Sequence, residues 1–176
     1  HRYLNPLPAD VLVSEGMTRD VVAITQDQSV SQAWKLMLEK QVKAMPVLDS
    51  SARVVGILTD EDLLERGGIQ QRLSVAMRMA RVDMEQELRA LENSPVRVAD
   101  IRSYPAVTVL ETDTLGAATT RMVQAGLKRM PVVDASGKLV GMLSRLDILR
   151  AVAQTKADDQ TQDQIHPHAA RLVREV

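Results

Sequence analysis

The sequence predicts a mixed α/β (α+β) fold made of two β-α-β-β-α units with a long helix inserted between them. Three observations predict it. First, "MPVLDSSARVVGILTDED" (Met45–Asp62) returns as "MPVVDASGKLVGMLSRLD" (Met130–Asp147). Second, a shift of 85 residues, which carries Asp62 onto Asp147, needs no gap from about Val21 to Leu64. It superposes Val22 on Val107, Ala33 on Ala118, Met37 on Met122, Pro46 on Pro131, Asp49 on Asp134 and Gly56 on Gly141. Third, each copy alternates short β-branched runs with apolar residues at helical spacing.

The elements follow in order. "VVAIT" (Val21–Thr25) and "AVTVL" (Ala106–Leu110) are β-rich runs. Ser29 and Thr114 stand where a helix N-cap is needed. Ser31–Gln41 and Leu115–Ala125 carry Ala33, Leu36, Met37 and Ala118, Met122, Val123 on one helical face, with Gly126 as a stop in the second copy. "MPVLD" and "MPVVD" read as buried strands, "SSA" and "ASG" as hairpin turns, and "RVVGIL" and "KLVGML" as return strands. Gly56 and Gly141 fit close strand packing or a bulge. Closing helices are expected over Asp60–Arg66 and Arg145–Thr155. Each sheet has one helical face, so two units would cover each other's open sheet faces. The predicted segments are 11–66 (first repeat), 67–97 (inserted helix), 98–153 (second repeat) and 154–176 (polar tail).

Composition limits the function. The 176 residues are 45% hydrophobic, enough for real cores, and carry 22 basic against 23 acidic residues. Without a basic excess, neither nucleic acid nor a membrane surface is an expected partner. No apolar run reaches the roughly 20 residues of a membrane helix, and no signal peptide is visible. Zero cysteines exclude disulfides and thiolate metal sites and are compatible with a reducing, cytoplasmic setting. The first residue is His1 rather than Met, and we expect a piece of a longer chain. With no Phe and nine Met, methionine must fill much of the core.

The chemistry concentrates in "TDED" (Thr59–Asp62) and "SRLD" (Ser144–Asp147), each at a strand-to-helix junction. One reading is a capping box, although Asp is short for the position that Glu or Gln usually fills. Another uses the same geometry for a ligand. A helix N-terminus suits a phosphate, the hydroxyl donates to it, and the carboxylate one turn inward accepts from ribose hydroxyls. The two roles are compatible.

These repeated residues resemble the core of a cystathionine-β-synthase (CBS) domain, and two in tandem resemble a CBS pair, or Bateman module. The resemblance spans about Val11–Leu64 and Val98–Ala153. It implies pseudo-twofold-related units packed sheet to sheet, with two clefts for an adenosine ligand: AMP, ADP, ATP or S-adenosylmethionine. It also implies homodimers and control of an attached or partner enzyme, channel or transporter. By position it assigns Thr59, Asp60 and Asp62 to one cleft, opposite Val107, Lys128, Arg129, Met130 and Pro131. Ser144, Arg145 and Asp147 fall in the other, opposite Val22, Lys43, Ala44, Met45 and Pro46. The acids Asp60, Glu61 and Asp62 favour AMP or S-adenosylmethionine over a polyphosphate in the first, and Arg145 favours AMP or ADP in the second. Against this, Lys128–Arg129 also reads as a solvated pair, and Met45 and Met130 as core.

The insertion carries Leu73, Met77, Ala80, Met84, Leu88 and Leu91 at spacings of 4, 3, 4, 4 and 3. That is one apolar helical stripe, expected to pack along its own module or to dock on a partner. The lead-in "HRYLNPLPADVLVSEGMT" is expected to pack on the second copy, and the tail from Gln154 to open as a polar linker. His166 and His168 flank a proline, a poor metal site. No nucleophile sits beside a base, so no enzyme is expected. The leading expectation is a regulatory adenosine-ligand sensor needing no cofactor. The alternative is a dimerisation or interaction module with vestigial clefts, working through Leu73–Leu91.

Overall fold

The computed structural model describes residues 10–76, 86, 89–103 and 106–165. In chain order the elements are α1 (Val13–Gly16), β1 (Ile24–Thr25), α2 (Val30–Lys40), β2 (Ala44–Leu48), β3 (Val54–Thr59), α3 (Asp60–Glu65), α4 (Ile69–Ala76), α5 (Val98–Ile101), β4 (Val109–Leu110), α6 (Leu115–Ala125), β5 (Arg129–Val133), β6 (Leu139–Ser144) and α7 (Arg145–Ile165). The architecture is α+β, with two three-stranded sheets ordered β1-β2-β3 and β4-β5-β6. The chain divides into two compact units, one of Asp20–Val107 with Ser136–Leu139, the other of His1–Arg19, Thr108–Ala135 and Val140–Val176.

In the first-repeat unit β1 runs parallel to β2, with Ile24 opposite Val47, and β2 runs antiparallel to β3, with Ala44 opposite Thr59. Both faces of β2 are covered, so Ala44, Met45, Pro46 and Val47 are all buried. That explains a continuous apolar run where a one-faced strand would alternate. Helix α2 begins with a complete capping box. Gln32 N–H donates to the Ser29 hydroxyl at 3.1 Å, and Ser29 N–H donates to Gln32 Oε1 at 2.9 Å. Its buried stripe of Val30, Ala33 and Met37 meets Met45, Val47 and Leu58 in one core.

The second-repeat unit repeats this plan. Val109 of β4 pairs in parallel with Val132 of β5. Thr114 caps α6, and Gly126, at φ 65°, ends it in the left-handed conformation. Leu115, Met122, Met130 and Leu143 form the core. Five methionines, Met17, Met37, Met45, Met122 and Met130, are buried across the two cores, so methionine does supply the bulk that the absent phenylalanines would.

Each sheet also receives a segment from outside its own repeat. Val13 and Met17, at 0% and 9% exposure, sit in the second-repeat core, as expected for the lead-in. Val98 and Ile101, at 0% and 3%, sit in the first-repeat core.

Two expectations differ from the structure. The β-rich runs narrow to two-residue strands, because only Ile24–Thr25 and Val109–Leu110 find a ladder partner. And α7 does not stop near Gln154 in a linker but continues to Ile165. "KADDQTQDQ" holds no Gly or Pro, so a polar composition was mistaken for a helix break. Most of the inserted stripe, Met77, Ala80, Met84 and Leu88, lies outside the described residues, as do His166 and His168.

Candidate ligand sites at two helix mouths

Thr59 ends β3 and Ser144 ends β6, and at each the backbone leaves the extended region only at the next residue. That makes each hydroxyl an N-cap. Asp62 N–H donates to Thr59 Oγ1 at 3.1 Å, and Thr59 N–H donates back to Asp62 Oδ2 at 2.9 Å. Ser144 and Asp147 show the same pair of bonds, at 3.1 Å and 2.9 Å. The aspartate is therefore long enough to close a full capping box, so the capping reading holds at both helices. Both carboxylates are buried, Asp62 at 8% and Asp147 at 4% exposure.

A third strand-like segment approaches each mouth. Thr18 exchanges two backbone hydrogen bonds of 2.9 Å with Met142 of β6. Ser103 pairs in the same way with Ile57 of β3, with bonds of 2.9 Å and 3.3 Å. The approach needs a glycine opposite it. A Cβ on Gly56 would lie 2.7 Å from the Ser103 carbonyl oxygen, and one on Gly141 would lie 3.0 Å from that of Thr18. Close packing is thus the role of both strand glycines. The 85-residue shift also carries Thr18 onto Ser103, hydroxyl onto hydroxyl, a match that starting the alignment at Val21 leaves out.

The mouths differ in what surrounds the carboxylate. Asp147 Oδ1 accepts from the Thr18 hydroxyl at 3.0 Å and from Arg150 Nη1 at 2.9 Å. Asp62 has Glu65 where Asp147 has Arg150, and the first turn of α3 carries Asp60, Glu61 and Asp62. Thr18 and Arg150 are neighbours of Asp147 that the sequence alone did not single out.

The remaining candidates fall as follows. Asp60 N–H donates to the Lys43 carbonyl at 2.9 Å, and Arg145 N–H to that of Lys128 at 3.2 Å, so each mouth sits beside the strand entry of its own repeat. The Lys43 and Lys128 side chains are exposed, and Arg129 is half-buried. Arg145 Nε donates to the Leu127 carbonyl at 3.0 Å. Met45 and Met130 are both at 0% exposure inside their cores, where they act as core residues. Ala44, Pro46 and Pro131 are buried, Val22 packs against the first core, and Val107 is exposed.

The first-repeat unit holds one more concavity, a cavity of about 720 Å³ lined by residues of α2, α3 and the start of α4. Trp34, Met37, Leu38, Leu63, Leu64 and Leu91 line it. Leu91 is therefore a stripe residue that packs on its own module. No helix among the described residues is long and apolar enough to cross a membrane. Among them, too, no group of three His, Asp or Glu could hold a metal ion.

Two α+β units, each presenting one hydroxyl-capped helix mouth with a buried aspartate, define a duplicated domain with one motif per copy. A CBS domain model matches residues 9–68 and 98–154, and the chain belongs to the CBS domain family as a tandem pair. It is 32% identical over 139 residues to the CBS domain-containing protein CBSX2, chloroplastic, of Arabidopsis thaliana, covering 75% of this chain and 58% of that protein. To the CBSX1 protein of the same plant it is 30% identical, over 82% of this chain and 65% of the relative. The chain thus spans somewhat under two thirds of these relatives. A crystal structure of CBSX2 in complex with AMP superposes with TM-score 0.64 and 28% identity, over 83% of this chain and 98% of that one.

Proposed function

We propose that this chain is a ligand-sensing regulatory module that binds an adenosine-containing ligand, AMP foremost, at its two helix mouths and so controls an attached or partner effector. The observation that carries this reading is the pair of buried aspartates, each held by its own capping box beside a strand-end hydroxyl. That arrangement offers amide donors and a hydroxyl to a phosphate and an acceptor to a ribose. A relative of the same family has been crystallised with AMP, which supports the ligand class. ADP, ATP and S-adenosylmethionine belong to the same screen. Lys43 and Lys128, with exposed ammonium groups, and Arg129 are the further cations assigned to the phosphates. The module performs no catalysis of its own and works in the cytoplasm.

Calorimetry with AMP, ADP, ATP, S-adenosylmethionine and NAD tests the reading. Asp147→Asn and Asp62→Asn keep an acceptor for the cap but remove the charge, and the pair together should abolish binding. Heat from no adenosine compound would sink the proposal.

A second reading, self-association, is favoured by a separate observation. Leu38 and Val123 are 73% and 74% exposed, and Leu64 and Leu149 are 50% and 63% exposed. Each pair is related by the 85-residue shift, so both repeats present apolar side chains at the same two helical positions. Scattered single exposures need no explanation, but a repeated pair suits a homodimer face.

A further inference from the structure

At the second mouth the buried carboxylate is already occupied. A carboxylate offers about four lone-pair positions. At Asp147, Oδ2 takes the Ser144 N–H, while Oδ1 takes both the Thr18 hydroxyl and the Arg150 guanidinium. About one position is left, and a ribose diol needs two. Asp62 is the comparison within the same chain. Among the described residues its carboxylate accepts one hydrogen bond, from Thr59 N–H, with Ser103 and Glu65 at the positions of Thr18 and Arg150.

We propose, resting on the ligand reading above, that Thr18 and Arg150 form a latch on Asp147 which an adenosine ligand must open. Ligand selection follows from the opening. The sugar displaces Thr18 and Arg150 from Oδ1, which leaves a guanidinium without its carboxylate at the mouth of α7. A ligand with an anionic 5′ group replaces that partner, and a neutral nucleoside does not. Arg150 is therefore the residue that selects for a 5′ phosphate, although its side chain is 65% exposed and it sits outside the Ser-x-x-Asp motif. Release of Thr18 also removes a side-chain hydrogen bond between the Val11–Arg19 lead-in and α7, while Val13 and Met17 stay packed in the core. Ligand binding is thereby passed to the segment that leads into the first repeat.

Calorimetry with AMP and adenosine on the wild-type chain, Thr18→Val and Arg150→Met tests this. Thr18→Val should tighten both ligands, by roughly three- to tenfold, because one hydrogen bond to a charged group no longer opposes binding. Arg150→Met should tighten adenosine while narrowing or removing the preference for AMP. Weaker AMP binding by Thr18→Val would make the hydroxyl a ligand contact and overturn the latch, as would unchanged affinities in both variants. Hydrogen exchange at the Thr18 amide, which donates to the Met142 carbonyl, reads the latch without ligand. Exchange should be faster in Thr18→Val than in the wild type, and AMP should accelerate it in the wild type. Equal apo exchange overturns the latch. Absence of AMP binding together with faster apo exchange in the variant would sink the ligand reading instead.

Discussion

Two side chains sit in a backbone conformation that costs an L-residue energy. Gln41 at the C-cap of α2 has φ 53°, and Ala52 in the first hairpin turn has φ 64°. The second repeat has glycine at both places, Gly126 at φ 65° and Gly137 at φ 83°. Gln41→Gly and Ala52→Gly should therefore each stabilise the protein. The relief of about 1 kcal/mol in left-handed strain is offset in part by the larger entropy of an unfolded glycine. The net expectation, roughly 0.5 kcal/mol each, is read from urea midpoints at unchanged slope. The converse changes, Gly126→Ala and Gly137→Ala, should destabilise by about 1 kcal/mol. Residue-scale legibility was uneven. The Thr59 and Ser144 caps could be read from sequence because a cap is local, a hydroxyl followed three residues on by an acid. The Thr18–Asp147 bond spans 129 residues of chain and leaves no local mark. Only the alignment of Thr18 with Ser103 could have pointed to it.

At the scale of elements, the strand glycines decide how closely the lead-ins pack. A methyl on Gly56 meets the Ser103 carbonyl and the Arg102 side chain, each at 2.7 Å, and a carbonyl cannot rotate away. Gly56→Ala should cost about 1–3 kcal/mol by overpacking. Gly68, whose missing Cβ has nothing within 4 Å, supplies a control for loss of glycine without crowding, although its φ of 80° adds some strain there. Thermal melts of the two variants separate crowding from strain. The helices α2 and α6 were legible because cap and apolar period agree along eleven residues, with Gly126 adding a stop to α6 alone. The terminal strands were over-read because β-propensity marks what can join a ladder, while the partner's length decides how much does. The polar end of α7 was under-read because composition alone does not end a helix. What ends one is Gly, Pro or a competing cap, and no Gly or Pro occurs within Arg145–Ile165.

At the scale of the molecule, the exposed leucines set an expectation about assembly. A helix of a monomer puts its apolar residues into its own core, as α2 does with Val30, Ala33 and Met37. Leu38 is on the same helix at 73% exposure, and Leu64 follows on α3 at 50%. Their counterparts Val123 and Leu149 are exposed in the second-repeat unit, so the feature was duplicated with the fold rather than acquired once. If these positions meet a second copy, folding is coupled to protein concentration, because dimerisation stabilises the native state by mass action. The melting temperature should then rise with concentration in the wild type. Leu38→Asp with Leu149→Asp should remove that dependence and shift the particle to monomer mass in light scattering. A stable homodimer needs about 800 Å² buried per partner, so placing charges at two of these exposed leucines is expected to be enough. Neither residue belongs to the Thr59–Asp62 or Ser144–Asp147 motifs, so AMP affinity should survive the change. A monomeric wild type, with a melting temperature independent of concentration, would assign these side chains to another partner.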